Sequence, residues 1–440
     1  MQNIFTPRLI TALMAVAFAG SASASGFQLQ NQTGSGNGNA FAGAAATAED
    51  AGTIFFNPAG MALLSRGHNI SLSGTLLNRS IEFSNQGSST TNSTFFPLPS
   101  GDGGNAGGLG VLPHAYWSYG ISQDLTIGLG MGPTFGNTTE YNFDFTGRNA
   151  GYFFEMQQFN INPSVAWKVN EKVSLGAGLN FAHNESHFKQ GVALVDPTGA
   201  LSGGARRYAA GNFLDVKGDD WAIGYNLGAM FQVLPTTRVG VAYRSALKFE
   251  LEGEQKYNSP NSALVNQDIT TTLKTPANLS VAVSHQANDR LELLTDVTWT
   301  DWSVVKTLDL KSKNTGADLH RLPYNFKDTW RVGLGGNYQY TSDLKLRFGV
   351  AYDKAPIRAD SDRTMTLPDS NRTWLSFGAK YNLSKASSID AGYTHIFFAD
   401  AKTERTVSTG YPAAEVTRQV IRGDFKTSVD ILSLQFNHAF

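Results

Sequence analysis

The chain has 440 residues, a formal net charge of −1 and no cysteine. The missing cysteine excludes disulfide frameworks, thiolate metal sites and cysteine nucleophiles, and the near-zero charge gives nucleic acid no basic field to bind. Only 16% of residues are charged, against 45 glycines and 11% aromatics, a mix that suits many strands and turns better than helices.

Residues 1–24 read as a secretory signal peptide. Arg8 supplies the positive start, Leu9 to Gly20 the apolar stretch, and Ala22-Ser23-Ala24 the small-residue cleavage site. That stretch is short for a membrane-spanning helix, which needs about 20 apolar residues. Residues 25–66 do not alternate and are rich in Gly and Ala, which predicts a compact N-terminal plug, or hatch. Within it, Phe55-Phe56 is an apolar cluster able to touch a hydrophobic ligand. Asn57-Pro58-Ala59 reads as an N-cap followed by proline at the first helical position, opening a short helix through Leu64.

Residues 67–440 show period-two alternation, which predicts strands. In 173–181, Val173, Leu175, Ala177, Leu179 and Phe181 oppose Ser174, Gly176, Gly178 and Asn180. In 238–251, Val239, Val241, Tyr243, Leu247, Phe249 and Leu251 are expected on one face, with Arg238, Arg244, Lys248 and Glu250 opposite. In 344–352, Leu344, Leu346, Phe348, Val350 and Tyr352 oppose Lys345, Arg347 and Gly349. Arg244, Lys248 and Arg347 are expected in the lumen. Short polar connections, such as Asn170-Glu171-Lys172 and Thr341-Ser342-Asp343, alternate with long ones near 84–112, 137–155, 188–219, 253–270, 306–326, 355–369 and 401–422. This is the asymmetry of a bacterial outer-membrane barrel, with tight periplasmic turns and long external loops. The count predicts a 14-stranded antiparallel transmembrane β-barrel, an all-β membrane protein, wide enough to need a plug.

The third strand, about 125–136, contains Gly130, Gly132 and Pro133. Proline removes a ladder donor and glycine weakens pairing, so this stretch predicts either a break in the wall or a bulge near the rim. At the end of the chain, Phe440 shares a face with Phe436, Leu434 and Leu432 and reads as a signal for the barrel-assembly machinery. His183-Asn184-Glu185-Ser186-His187 departs from the zinc-helix motif and lies on a strand, where positions i and i+4 are about 13 Å apart. No nucleophile motif or phosphate loop is present, so neither an enzyme nor a cofactor is expected.

The start Ser25-Gly26-Phe27-Gln28-Leu29, the segment Ala48-Glu49-Asp50-Ala51-Gly52 through Asn57-Pro58-Ala59, Tyr243-Arg244-Ser245, Phe326-Lys327-Asp328 with Trp330-Arg331, and Leu367-Pro368-Asp369 with Arg372 and Trp374 together resemble the long-chain fatty-acid and hydrocarbon outer-membrane transporters (FadL/TodX type). The resemblance runs along nearly the whole chain beyond the signal segment. It implies passive transport of a hydrophobic small molecule by a monomer embedded in outer-membrane lipid and lipopolysaccharide. It also implies that the Asn57 segment gates a sideways exit at a kink in the third strand. Long-chain fatty acid is the expected ligand, monoaromatic hydrocarbon the alternative and a water-filled general porin the further alternative. Family pockets pair a carboxylate with basic groups. The nearest here are Arg321, displaced by about one place, and His187, which replaces a permanently charged residue.

Overall fold

The computed structural model describes residues 26–91, 97–192, 194–195, 208–209, 211–258, 264–409 and 417–440; the expected signal segment lies outside them. Beyond residue 67 the chain forms 14 antiparallel barrel strands. These are β1 (His68–Asn85), β2 (Gly108–Gly120), β3 (Leu125–Glu140), β4 (Phe153–Asn170), β5 (Val173–Gly191), β6 (Phe213–Leu234), β7 (Thr237–Arg244, Leu247–Tyr257), β8 (Gln267–Thr275, Asn278–Gln286), β9 (Leu291–Thr300, Thr307–Ser312), β10 (Asp318–Pro323, Thr329–Gln339), β11 (Leu344–Asp353), β12 (Arg372–Asn382), β13 (Ser387–Phe398, Ala401–Thr409) and β14 (Thr417–Ala439). Each pairs with its neighbour in sequence. β14 returns to β1 with Asn69 opposite Ala439 and Asn85 opposite Gly423. Closure leaves no terminal edge strand, the condition for placing a sheet in lipid.

Alternation sorts the side chains as lipid and lumen require. Leu175, Leu179, Trp221, Leu334, Phe348, Leu432 and Leu434 are exposed on the outside, whereas Ser71, Ser174, Asn180, Arg347 and Ser433 are buried inside. One expected face is wrong. The pattern on β7 reverses at Ser245-Ala246, so Leu247, Phe249 and Leu251 turn inward and Lys248 turns outward to Glu250 (2.5 Å). A two-residue interruption shifts the period by one and swaps the faces.

Several expected loops are also largely strand. Segment 306–326 holds both outer pieces of β9 and β10, paired from Thr307↔Pro323 to Lys311↔Asp318, and β13 and β14 pair from Ala401↔Phe425 to Thr409↔Thr417. Their outer faces are polar because they stand clear of the apolar belt, so in sequence they read as loop and not as membrane strand.

The N-terminal segment fills the lumen with little regular structure: α1 (Gly34–Asn37), α2 (Thr53–Phe56) and a 3-10 turn over Pro58–Leu63. It lies directly against glycines of the wall. A Cβ on Gly240 would collide with the Ala45 carbonyl, one on Gly349 with Asn39, and one on Gly228 with Asn57 Oδ1. Glycine is what lets two backbones approach this closely.

Candidate functional site

Three contacts fix the hatch, and each differs in chemistry. At the short-turn end the contact is ionic. Arg347 on β11 bonds Glu49 of the hatch at 2.6 Å and Asp390 of β13 at 2.8 Å, and Lys345 reaches Glu49 at 3.2 Å. Burial alone would raise the Glu49 carboxyl, but the neighbouring Arg347, Lys345 and Lys380 hold it well below the ordinary carboxylate range. Higher in the lumen, Arg331 on β10 pairs with Asp296 of β9 at 3.0 Å and also donates to the Ala40 carbonyl of the hatch.

At mid-height the contact is made by Asn57, which is fully buried. Its Oδ1 accepts from the Ala59 N–H at 3.1 Å and so caps the turn that Pro58 opens. Its Nδ2 donates to the carbonyls of Ala45 (2.7 Å), Ala229 on β6 (3.1 Å) and, more weakly, Val241 on β7 (3.4 Å). The cap thus also ties the hatch to two wall strands. Phe56 packs against Phe41 at 5.9 Å between ring centroids, and Arg244 lies over the Phe55 ring at 4.4 Å while donating to the Phe55 carbonyl. Cavities between hatch and wall here are about 50 and 40 Å³, room for a water or two but not for a ligand.

At the long-loop end the contact is mainly apolar, beside one polar tie from the Gly26 N–H to Asp369 Oδ2 at 2.8 Å. Strands β7 to β10 are all interrupted at about one height, around 245–246, 276–277, 301–306 and 324–328. The last two breaks bring Trp302, Tyr324 and Phe326 into a cluster with Phe135, Phe154, Met156, Ile357, Leu367 and Phe27 of the hatch. Phe27 stands edge-on to Trp302, with centroids 4.8 Å apart. Beside this cluster, the buried Arg79 donates to Asn137 Oδ1 at 2.6 Å, while its Nε is unbonded. It lines a cavity of about 30 Å³ with Gly26, Leu367 and Arg372.

The wall is discontinuous beside this end. The β2–β3 ladder runs from Gly120↔Thr126 to Ala115↔Met131 and stops, although β2 continues toward Gly108 against β1. The β3–β4 register slips between Pro133 and Phe135. The freed edge of β3 is taken by the hatch: Leu29 N–H donates to Thr134 O at 2.9 Å, and Gly136 N–H donates to Phe27 O at 2.8 Å. Outside the gap lies an apolar groove of about 540 Å³, lined by Leu72, Pro113, Met131, Phe159, Ile161, Leu434 and Phe436. Gly130 is still in the ladder opposite Tyr116. Together with Gly128 it makes room for Ile54 and Met61 of the hatch.

The two basic residues singled out in the sequence are elsewhere. Arg321 is 69% exposed and bonded to Asp309 at 2.7 Å, and His187 bonds Asp215 of β6 at 2.8 Å. Neither joins the aromatic cluster. Sequence reading missed Trp302, Phe135 and Arg79. The loss of alternation at 301–306 is the one local signal that could have pointed to Trp302.

A closed barrel with a lipid-matched belt and a hatch bound into its lumen defines an outer-membrane transport protein. Residues 15–440 match the family described as Outer membrane protein transport protein (OMPP1/FadL/TodX), and the chain belongs to that family. It is 32% identical to a putative outer membrane protein of Neisseria meningitidis serogroup B, over 90% of each chain. It is 26% identical to the long-chain fatty acid transport protein of Salmonella typhi, over 80% of this chain and 82% of that one. The fold matches a solved Pseudomonas aeruginosa FadL homologue with a TM-score of 0.83 at 24% identity, covering 94% of this chain and 99% of that one. It also matches the Ralstonia pickettii toluene transporter TbuX with a TM-score of 0.64 at 20% identity, covering 93% and 100%. The protein is thus a passive channel for hydrophobic small molecules, and not an enzyme.

Proposed function

We propose that a hydrophobic ligand enters through the external loops, takes the place of Phe27 in the aromatic cluster, shifts the hatch near Asn57 and leaves sideways into the membrane. The observation that carries this reading is the β2–β3 gap, where the ladder ends at Ala115–Met131 beside an apolar groove of about 540 Å³. An apolar solute gains nothing by crossing an aqueous lumen, whereas a wall opening delivers it straight to lipid.

The ligand class supported first is a monoaromatic hydrocarbon. The cluster is built of uncharged, mostly aromatic side chains around one phenyl ring, Phe27. Arg321 and His187 are held by acids away from it, and a toluene transporter shares the fold. The second reading, long-chain fatty acid, is favoured by Arg79, a buried cation beside the cluster that bonds an amide, and by the name of the Salmonella relative. An arginine is the group that would pair with a carboxylate there.

The test is uptake of labelled toluene and labelled oleate by cells lacking their own transporter, with and without this protein. Toluene uptake alone supports the first reading. Oleate uptake that falls in Arg79→Leu supports the second, and uptake of neither sinks both. Phe440, whose N–H donates to His68 O at 2.9 Å and whose ring is 70% exposed, is read as the assembly signal. Normal surface levels after its deletion would refute that role.

A further inference from the structure

We propose that the imidazole of His114 is the bolt of the β2–β3 gap, and that its withdrawal opens the lumen to the outer groove. This rests on the lateral-exit reading above and adds the residue that controls it.

His114 is the first β2 residue beyond the last ladder pair, Ala115↔Met131. Its side chain points inward and is 3% exposed. The ring lies over Gly132, where any Cβ would collide with it, so it fills the space that a wider gap would leave open. It also supplies a link that the main chain cannot. Pro133 has no N–H to give, and the Pro133 carbonyl is bonded by His114 Nε2 at 3.1 Å. The ring also has the Leu112 carbonyl of its own strand as a backbone partner, so the link to Pro133 is the one that crosses the gap.

The same carbonyl connects the bolt to the hatch. Gln32 Nε2 donates to Pro133 O at 2.9 Å and to Leu29 O at 2.9 Å, and Tyr116 OH, two residues along β2 from His114, donates to Gln32 Oε1 at 3.2 Å. A hatch shift that withdraws Gln32 removes one of the two donors on Pro133 O and disturbs the Tyr116 contact beside the imidazole. On its outer side His114 lines the groove together with Pro113, Met131 and Phe159. The residue therefore touches both the hatch-linked carbonyl and the lipid-side cavity, which is where a gate must stand. A substituted ring here alters passage through the wall while leaving the aromatic cluster around Trp302 untouched.

The experiment compares His114→Trp, His114→Ala and His114→Gln by initial rates of labelled toluene and oleate uptake in cells, and by binding of the same ligands to purified protein. His114→Trp is expected to lower uptake about tenfold at unchanged binding, His114→Ala to raise it about threefold, and His114→Gln, which keeps a donor for Pro133 O, to stay near wild type. A separate arm blocks the groove: Pro113→Cys is the sole thiol in a cysteine-free chain and is alkylated with a bulky maleimide. If the blocked groove leaves uptake intact, lateral exit itself falls. If the block abolishes uptake but His114→Trp transports normally, only the bolt is overturned. Should His114→Trp fail to reach the membrane, His114→Ala decides, and an unchanged rate there overturns the proposal.

Discussion

The two ends of the lumen hold the same hatch by different dominant contacts. At the short-turn end, Glu49, Arg347, Asp390 and Lys345 form an ionic knot, buried at Arg347 and Asp390 and half-buried at Glu49 and Lys345. At the long-loop end, Phe27 sits among Phe135, Trp302 and Phe326, with two backbone bonds to the free edge of β3. An ionic knot is directional and all-or-none, because removing one partner leaves the other charge buried and unpaired. An apolar cluster is non-directional and accepts any surface of similar shape. On the proposed function, the difference separates where this barrel is closed from where it yields: the knot is the seal against water and ions, and the cluster is where ligand competes.

Breaking the knot has the largest expected effect. Arg347→Leu leaves the buried Asp390 without its cation, a loss of about 3–5 kcal/mol, leaves Glu49 with Lys345 alone, and frees the lower hatch. Single-channel conductance and sensitivity to large antibiotics should both rise, with barrel assembly intact. Conductance at the wild-type level would mean that the knot does not hold the hatch.

Loosening the opposite end comes next. Trp302→Ala removes the ring against Phe27 and should destabilise the cluster by about 3–5 kcal/mol, lowering ligand affinity at least tenfold without opening an ion pathway. Titration of purified protein with toluene and oleate reads this directly. A conductance rise equal to that of Arg347→Leu would erase the distinction between the two ends.

Asn57 stands between them. Asn57→Ala removes the cap and the ties to Ala229 and Val241, worth about 1–2 kcal/mol for the cap alone. Uptake should change several-fold while heat-modifiability of the barrel stays normal. Unchanged transport would reduce Asn57 to a helix cap.

The smallest effect is that of pH. The Glu49 carboxyl is held below its ordinary value, so its contribution is present above the unfolded value, near 4.5, and is lost only as pH falls through the lower folded value. Conductance should therefore stay low at mildly acidic pH and rise only below it. A rise already at mildly acidic pH would assign the seal to a group other than Glu49.

The barrel was legible because its physics is periodic. Lipid outside and a polar lumen inside impose alternation along each strand, and the membrane imposes short turns on one side, so β5 and β11 read directly from residues 173–181 and 344–352. Alternation fails where that cause is absent. The outer hairpins of β9–β10 and β13–β14 rise above the lipid, and β7 swaps faces at Ser245-Ala246.

The candidate site was legible in part for the same reason. Asn57-Pro58 carries a local signal, the cap, and Pro133 carries another, the missing donor. Phe27 lies hundreds of residues from Trp302 and Phe326, and their meeting depends on strand interruptions whose local mark is no more than a loss of alternation. His114 looks like any residue of an alternating strand. It acquires a role only because β3 turns away one residue later, leaving a proline carbonyl for its ring to bond. Sequence alone determined the closed sheet, its lipid face and the need for a plug, since these follow from local pattern. Tertiary structure decided which end of the plug is locked and which side chains stand in the gap, since those follow from distances between strands that the local pattern does not encode.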